Sequence, residues 1–156
     1  MKWVDGSEID IKQFTGESLC EKLALEMWKN GEELWLQCPA FIQNALYILA
    51  FDTETNMEGF STPHDGNITP ENYARMISAF RAIGDGQDAG VLEAARSLDA
   101  QYQQQLDQAE DDADTDAIHD AFSDKLDELE QQLYLNTDFD MWALLYAYLD
   151  AQIGGL

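Results

Sequence analysis

Basic residues are scarce in this sequence. Only 8 Lys and Arg side chains accompany 31 Asp and Glu among 156 residues, and the formal net charge is −23 at pH 7. Proteins grip nucleic acids and phosphorylated ligands mainly through Lys and Arg. The shortage therefore excludes direct binding of nucleic acid and disfavours phosphorylated substrates. An acidic surface would also be repelled by anionic lipid head groups.

Long apolar runs and cysteines are scarce as well. No stretch approaches the roughly 20 apolar residues that a transmembrane helix needs, and the start, MKWVDGSEID, lacks the apolar core of a secretory signal. The two cysteines, Cys20 and Cys38, have no C-x-x-C spacing. They predict two reduced, buried thiols rather than a disulfide framework. We therefore expect a cytoplasmic protein that does not associate with membranes.

The acidic excess does not predict disorder. Disordered segments combine high net charge with low hydrophobicity, whereas 46% of these residues are hydrophobic and 11% are aromatic. Both values are ordinary for a globular protein. The sequence predicts a single folded domain over residues 1–156.

Helical patterns dominate the chain. It has only two valines and no sustained alternation of polar and apolar residues, so strands are not expected. A polar and Gly-containing stretch between Asn56 and Asn67 predicts the one clear loop. Helix-start signals predict helices beginning at Thr15 or Ser18, Pro39, Thr69, Gly86, near Asp116 and near Asp138. The prediction is an all-α, single compact domain of about six helices.

Acidic residues concentrate between residues 107 and 130. Eleven acids and one base, Lys125, give this segment a net charge of −10. We call these eleven acids the acidic ridge: Asp107, Glu110, Asp111, Asp112, Asp114, Asp116, Asp120, Asp124, Asp127, Glu128 and Glu130.

The fifth predicted helix separates acidic from apolar residues. At 100° per residue, the apolar side chains fall on one side, and most of the ridge falls on the other. The apolar set is Ile118, Phe122, Leu126, Leu129 and Leu133. A merely solvated face would normally mix in lysines. If the whole segment were helical, its acids would be spaced about 3.3 Å apart along the axis, close to the roughly 3.4 Å between phosphates of one DNA strand.

A metal site is not predicted. Asp112, Asp114 and Asp116 match the opening of a calcium-binding loop, but Ala117 replaces the glycine that makes its turn and Ser123 replaces its bidentate glutamate. No cofactor motif is present either.

Catalytic motifs are missing too, and we predict no catalytic residues and no enzymatic activity. Asp52 and Glu54 are the only acids expected to have a buried structural or catalytic role.

The middle of the chain resembles the bacterial DNA-mimic-protein family, which consists of small acidic helical domains. The matching segments are NALYILAFDTETNMEGF, the STPHDGN loop, ENYARMISAFRAIGD, VLEAARSL and LDELEQQLYLNTDFDMWALLYAYLDAQ, within residues 40–152. Gly59, Phe60 and Gly84 agree with the family pattern, and we assign them structural turn roles. This chain departs from the family pattern at two places. Residues 56–59 read Asn-Met-Glu-Gly where the family has an Asn-Gly-Gly segment, and residues 61–64 read Ser-Thr-Pro-His where it has a polar-aromatic stretch.

The resemblance implies an all-helical, homodimeric cytosolic protein. Its acidic surface would occupy the DNA-binding face of a transcriptional regulator or histone-like protein. Two alternatives stay open. One is an immunity or inhibitor protein that blocks the basic active site of a nuclease toxin, and the other is a helical domain whose charge serves solubility alone.

Overall fold

The computed structural model describes all residues 1–156 and is built from helices. The six α-helices are α1 (Gly16–Glu26), α2 (Ala40–Glu58), α3 (Pro70–Ala82), α4 (Gly86–Gln108), α5 (Asp112–Glu130) and α6 (Met141–Gly154). Three short 3₁₀-helices cover Ile11–Gln13, Glu32–Gln37 and Tyr134–Asn136. The only β-type pairing is an isolated bridge between Lys2 and Glu8. The predicted all-α, compact single-domain fold is confirmed.

Local capping explains why the early helices begin where the sequence predicts. Thr15 Oγ1 accepts from the backbone N–H of Ser18, and Ser18 Oγ accepts from the N–H of Thr15. This capping box satisfies two of the donors that a helix start leaves free. Thr69 caps α3 by accepting from the backbone N–H of Asn72, with Pro70 in the first helical position.

Two glycines end helices with backbone angles that other residues rarely adopt. Gly59 follows α2 with φ +85°, and Gly84 follows α3 with φ +89°. Both lie in the left-handed region, where a Cβ atom is unfavourable. Phe60, directly after Gly59, is buried against Phe51. The turn after α2 therefore combines a glycine with positive φ and an aromatic side chain buried in the core.

The predicted start of α5 is wrong by four residues. The helix begins at Asp112 rather than near Asp116, because Asp111 Oδ1 accepts from the backbone N–H of Asp114 at 2.8 Å and caps it. Asp112 and Asp114 then lie in the first turn, where the helix dipole stabilises negative charge. The stretch EDDADTD is therefore largely helical rather than a turn.

Two other boundaries also differ from the prediction. Helix α6 begins at Met141 instead of near Asp138, since Asp140 caps it by accepting from the N–H of Ala143. Helix α2 runs on to Glu58, so the predicted loop starts at Gly59.

Helices α2 to α5 pack in chain order, each against the next, while α1 packs against α6 and both contact α2. An aromatic cluster lies at the centre. Phe51 of α2 makes an edge-to-face contact with Phe80 of α3 at 5.4 Å between ring centroids, and it also contacts Phe60 and Tyr134. Such pairs add to the stabilisation from burial. None of the helices has the length and apolarity that crossing a membrane requires.

Both cysteines are buried and unbridged, which agrees with the prediction of buried free thiols. Burial raises the pKa of the Cys20 thiol to about 12 and also raises that of Cys38. Because the thiolate is the reactive form, both side chains behave as small apolar core residues.

Helix α5 lies at the edge of the domain, where its main packing partner is α4. Phe122 and Leu126 are its only fully buried residues, and the ring of Phe122 stacks on Tyr102 of α4 at 4.2 Å. No residue between 100 and 121 is fully buried. The outer part of the α4–α5 hairpin therefore projects from the body of the protein.

Removing the Phe122 ring is expected to loosen α5 selectively. Phe→Ala substitutions in cores typically destabilise by about 3–5 kcal/mol, and here the lost ring stacks on Tyr102 of α4, the main packing partner of α5. In Phe122→Ala, amide hydrogens of α5 should exchange much faster, while those of α2 stay protected. Ile118→Ala, at a half-buried position of the same stripe, should have a smaller effect. Equal loss of protection in α2 and α5 would contradict this view of the hairpin.

Candidate functional site: an acidic helical hairpin

The acidic ridge is distributed over the α4–α5 hairpin. Asp107 lies in the last turn of α4, Glu110 and Asp111 lie in the connecting turn, and the other eight acids lie on α5. Ten of the eleven side chains are exposed, and Glu130 is half-buried. The structure thus brings the predicted residues together on one projecting element.

The hairpin changes the spacing expected from the sequence. Residues 107–130 do not form one continuous helix, because the chain reverses at residues 109–111. Helix α5 alone is about 28 Å long, and its eight acids lie on average about 3.6 Å apart along the axis. That value is still near the phosphate spacing of a DNA strand, and the turn adds further acids at one end.

Packing against α4 directs the acids outward. Phe122 and Leu126 point into the α4 interface, and this fixes the rotation of α5 about its axis. Four acids on the opposite side, Asp116, Asp120, Asp124 and Asp127, are exposed. They form no salt bridge, and neither does Lys125. Their carboxylates are therefore free to pair with cations of another molecule.

Glu130 has a different role from the rest of the ridge. Its Oε1 accepts a hydrogen bond from the backbone N–H of Phe60 at 3.3 Å. The side chain thereby ties the end of α5 to the turn that follows α2. We therefore count Glu130 as a structural residue of the hairpin base.

The three most buried acids lie outside the ridge, and the sequence analysis missed them. Asp85, Asp88 and Asp99 are almost fully buried, so the expectation that only Asp52 and Glu54 are buried acids is wrong. One signal was available. The apolar face of α4 contains Val91 and Ala95. Asp88 lies three residues before Val91 and Asp99 lies four residues after Ala95, so both fall on that face.

Asp85 and Asp88 form a buried carboxyl pair at the start of α4. Asp85 Oδ1 accepts from the backbone N–H of Asp88, and Asp88 Oδ1 accepts from that of Tyr134 at 2.9 Å. Their Oδ2 atoms are buried without a donor from another residue. Burial, followed by the interaction of its carboxyl group with that of Asp85, raises the pKa of Asp88 to about 8. A proton held by Asp88 supplies the donor that the pair needs.

Asp99 and Asp52 also have structural roles. Asp99 Oδ1 accepts from Thr62 Oγ1 at 2.6 Å, and its other oxygen contacts His64 Nδ1, which fastens the loop after Gly59 to α4. Asp52 is half-buried and accepts from Tyr134 Oη at 2.5 Å. These acids contribute to the net charge but do not belong to the displayed surface.

The aspartates that resemble a calcium loop do not form one. Asp112, Asp114 and Asp116 lie in the first turns of an exposed helix, whereas the calcium motif needs a loop that wraps around the ion. No group of three or more His, Cys, Asp or Glu side chains is arranged to hold a metal ion.

A family model described as DMP19-like protein matches residues 37–152. The chain belongs to the DMP19-like protein family. The DMP19-like match confirms the resemblance to DNA-mimic proteins and starts three residues earlier than the resembling segment. It includes α2 to α5 and the whole acidic ridge, whereas α1 precedes the DMP19-like region. No curated protein and no solved structure matches the chain significantly.

Proposed function

We propose that this protein is a DNA mimic, which occupies the DNA-binding surface of a basic transcriptional regulator or histone-like protein. The observation that carries the proposal is the set of exposed, unpaired carboxylates on the outer side of α5. Membership of the DMP19-like family supports it. We also propose that the protein is not an enzyme.

The mechanism is competitive occlusion. Lys and Arg side chains that normally contact phosphates would pair with the carboxylates of the ridge, so that DNA and this protein exclude each other. Complementary charge accelerates association by about 10–10³ at low salt. Because the carboxylates are exposed, salt should weaken this attraction strongly.

The position of α5 suits this role. No residue between 100 and 121 is buried, so the outer part of the hairpin is accessible to a partner. The packing of Phe122 and Leu126 holds the helix that carries the carboxylates in place, which lowers the entropy lost on binding. A flexible acidic tail would bring a similar charge without that order.

Affinity capture from a cell lysate tests the proposal. At about 50 mM salt, the immobilised protein is expected to retain a basic DNA-binding protein, and duplex DNA should release it. Retention that is insensitive to both DNA and salt would contradict DNA mimicry. Capture of a nuclease instead would indicate the inhibitor alternative.

The homodimer implied by the family resemblance stays a prediction. Sedimentation velocity on the purified protein tests it, since a monomer and a dimer of 17.6 kDa chains sediment differently.

A further inference from the structure

A small pocket lies away from the acidic hairpin and is not used in the proposed function. Its volume is about 180 Å³, and it is formed by the turn after α1, the 3₁₀-helix Glu32–Gln37, α2, the loop before α3 and the first half of α3. Three aromatic residues and two glutamates define its character: Trp28, Trp35, Tyr47, Glu32 and Glu54.

The aromatic rings form a continuous wall. The Trp28 and Trp35 ring centroids are 5.4 Å apart, those of Trp35 and Tyr47 are 5.6 Å apart, and both contacts are edge-to-face. Trp35 is buried and donates its indole N–H to the Met27 carbonyl, so its position is fixed. Trp28 is 58% exposed, which is unusual for the largest side chain. Its ring therefore presents aromatic surface at the edge of the pocket.

The two glutamates of the pocket differ in their hydrogen bonding. Glu32 Oε1 accepts from the hydroxyl of Tyr47. Glu54 Oε1 is buried and has no hydrogen-bond partner. Buried polar atoms in native proteins nearly always have a partner, so an unpaired carboxylate oxygen in a pocket marks a place for a donor.

No Lys or Arg lines the pocket, and its two asparagines, Asn67 and Asn72, form no hydrogen bond with Glu54, so the chain does not supply that donor. The nearby Arg75 lies over the Tyr47 ring, 5.6 Å from its centroid. Its guanidinium is engaged by Glu71 at 2.8 Å and by Asn72 at 3.1 Å. The pocket thus combines aromatic surface with negative charge and lacks a cation.

We propose that this pocket binds the cationic end of an arginine or lysine side chain from a protein partner. Aromatic faces attract ammonium and guanidinium groups within about 6 Å, and the free oxygen of Glu54 would accept their N–H donors. At about 180 Å³, the pocket is smaller than the ~300–1,000 Å³ of typical small-molecule sites. It is larger than the ~150 Å³ cavity that holds a benzene ring. Its size therefore fits a single side-chain group rather than a whole metabolite.

Titration with amino acid amides tests the proposal on the intact protein. The probes are N-acetyl-arginine amide and N-acetyl-lysine amide, and the neutral N-acetyl-citrulline amide is the control ligand. Binding is followed by the indole N–H signals in NMR spectra. The signals of Trp28 and Trp35 should shift, while those of Trp3 and Trp142 should not. At least one cationic amide should bind tenfold or more tightly than the citrulline amide, and comparing the two identifies the preferred side chain.

Two variants locate the site. Glu54→Gln keeps the shape of the side chain and is expected to weaken binding of the cationic amide at least tenfold, and Trp28→Ala should weaken it as well. Glu58→Gln, which removes the same charge from an exposed position of α2, should have little effect. The proposal is overturned if neither cation binds, if the citrulline amide binds equally well, or if Glu54→Gln and Glu58→Gln behave alike. None of these results bears on α5, so DNA mimicry is tested separately.

Discussion

Changing Asp116, Asp120, Asp124 and Asp127 together to asparagine is expected to weaken binding to a captured basic partner by roughly fivefold to several hundredfold. Each exposed ion pair contributes about 0.2–1 kcal/mol to the binding free energy, so four pairs contribute about 1–4 kcal/mol. A loss of 1.4 kcal/mol weakens affinity about tenfold. The fold should survive, because the substitutions relieve like-charge repulsion between residues four apart. Circular dichroism checks that point, and the affinity is measured by calorimetry.

A matched control separates position from net charge. Glu17, Glu21 and Glu33 changed to glutamine, together with Asp138→Asn, remove the same four charges from exposed positions outside the hairpin. This variant should retain most of the affinity. The α5 variant should also show a smaller salt dependence, since fewer ion pairs form. Equal losses in the two variants would show that overall charge, and not the hairpin, governs binding.

Replacing Asp88 by asparagine is expected to stabilise the protein increasingly as pH rises. The pKa of Asp88 is about 8 in the folded protein, against an ordinary value of 3.8. Between these values the unfolded chain releases the proton while the folded protein keeps it. The contribution of Asp88 to stability is thus greatest below about pH 4. It falls by up to about 1.4 kcal/mol per pH unit until about pH 8. Asparagine cannot ionise, and its amide N–H₂ can donate to Asp85 while its oxygen still accepts from Tyr134.

Urea unfolding at several pH values between 5 and 8 measures this effect. The difference in unfolding free energy between Asp88→Asn and the wild type should grow steadily with pH. Asp107→Asn, which removes an exposed carboxylate from the same helix, should give a difference that hardly changes with pH. A pH-independent difference for Asp88→Asn would show that Asp88 is ionised in the folded protein.

Features set by neighbouring residues were predictable from the sequence. Thr15, Thr69 and Pro70 act within one helical turn, so their capping roles follow from local spacing. The apolar stripe of α5 likewise follows from periodicity, and two of its members, Phe122 and Leu126, are buried in the structure. The start of α5 was mispredicted because residues 110–116 contain four Asp and one Thr, each of which could cap a helix, and spacing alone did not single out Asp111.

Features set by distant partners were not predictable. Asp88 contacts Tyr134, 46 residues away, and Asp99 contacts Thr62, 37 residues away. An acid in a helix pattern looks exposed until the tertiary contact that buries it is known. The same applies to Glu130, which belongs to the ridge by sequence but reaches the N–H of Phe60. The aromatic pocket needs Trp28, Trp35 and Tyr47 to converge, and in the sequence they resemble ordinary core residues.

A competition titration tests most directly whether DNA and this protein exclude each other from the partner. Labelled duplex DNA is bound to the captured partner, and the intact protein is added while fluorescence anisotropy is followed. The anisotropy should fall to that of free DNA, and higher salt or the four-asparagine α5 variant should shift the curve to higher protein concentrations. If the protein binds the partner while the DNA stays bound, so that a ternary complex forms, DNA mimicry by this hairpin is contradicted.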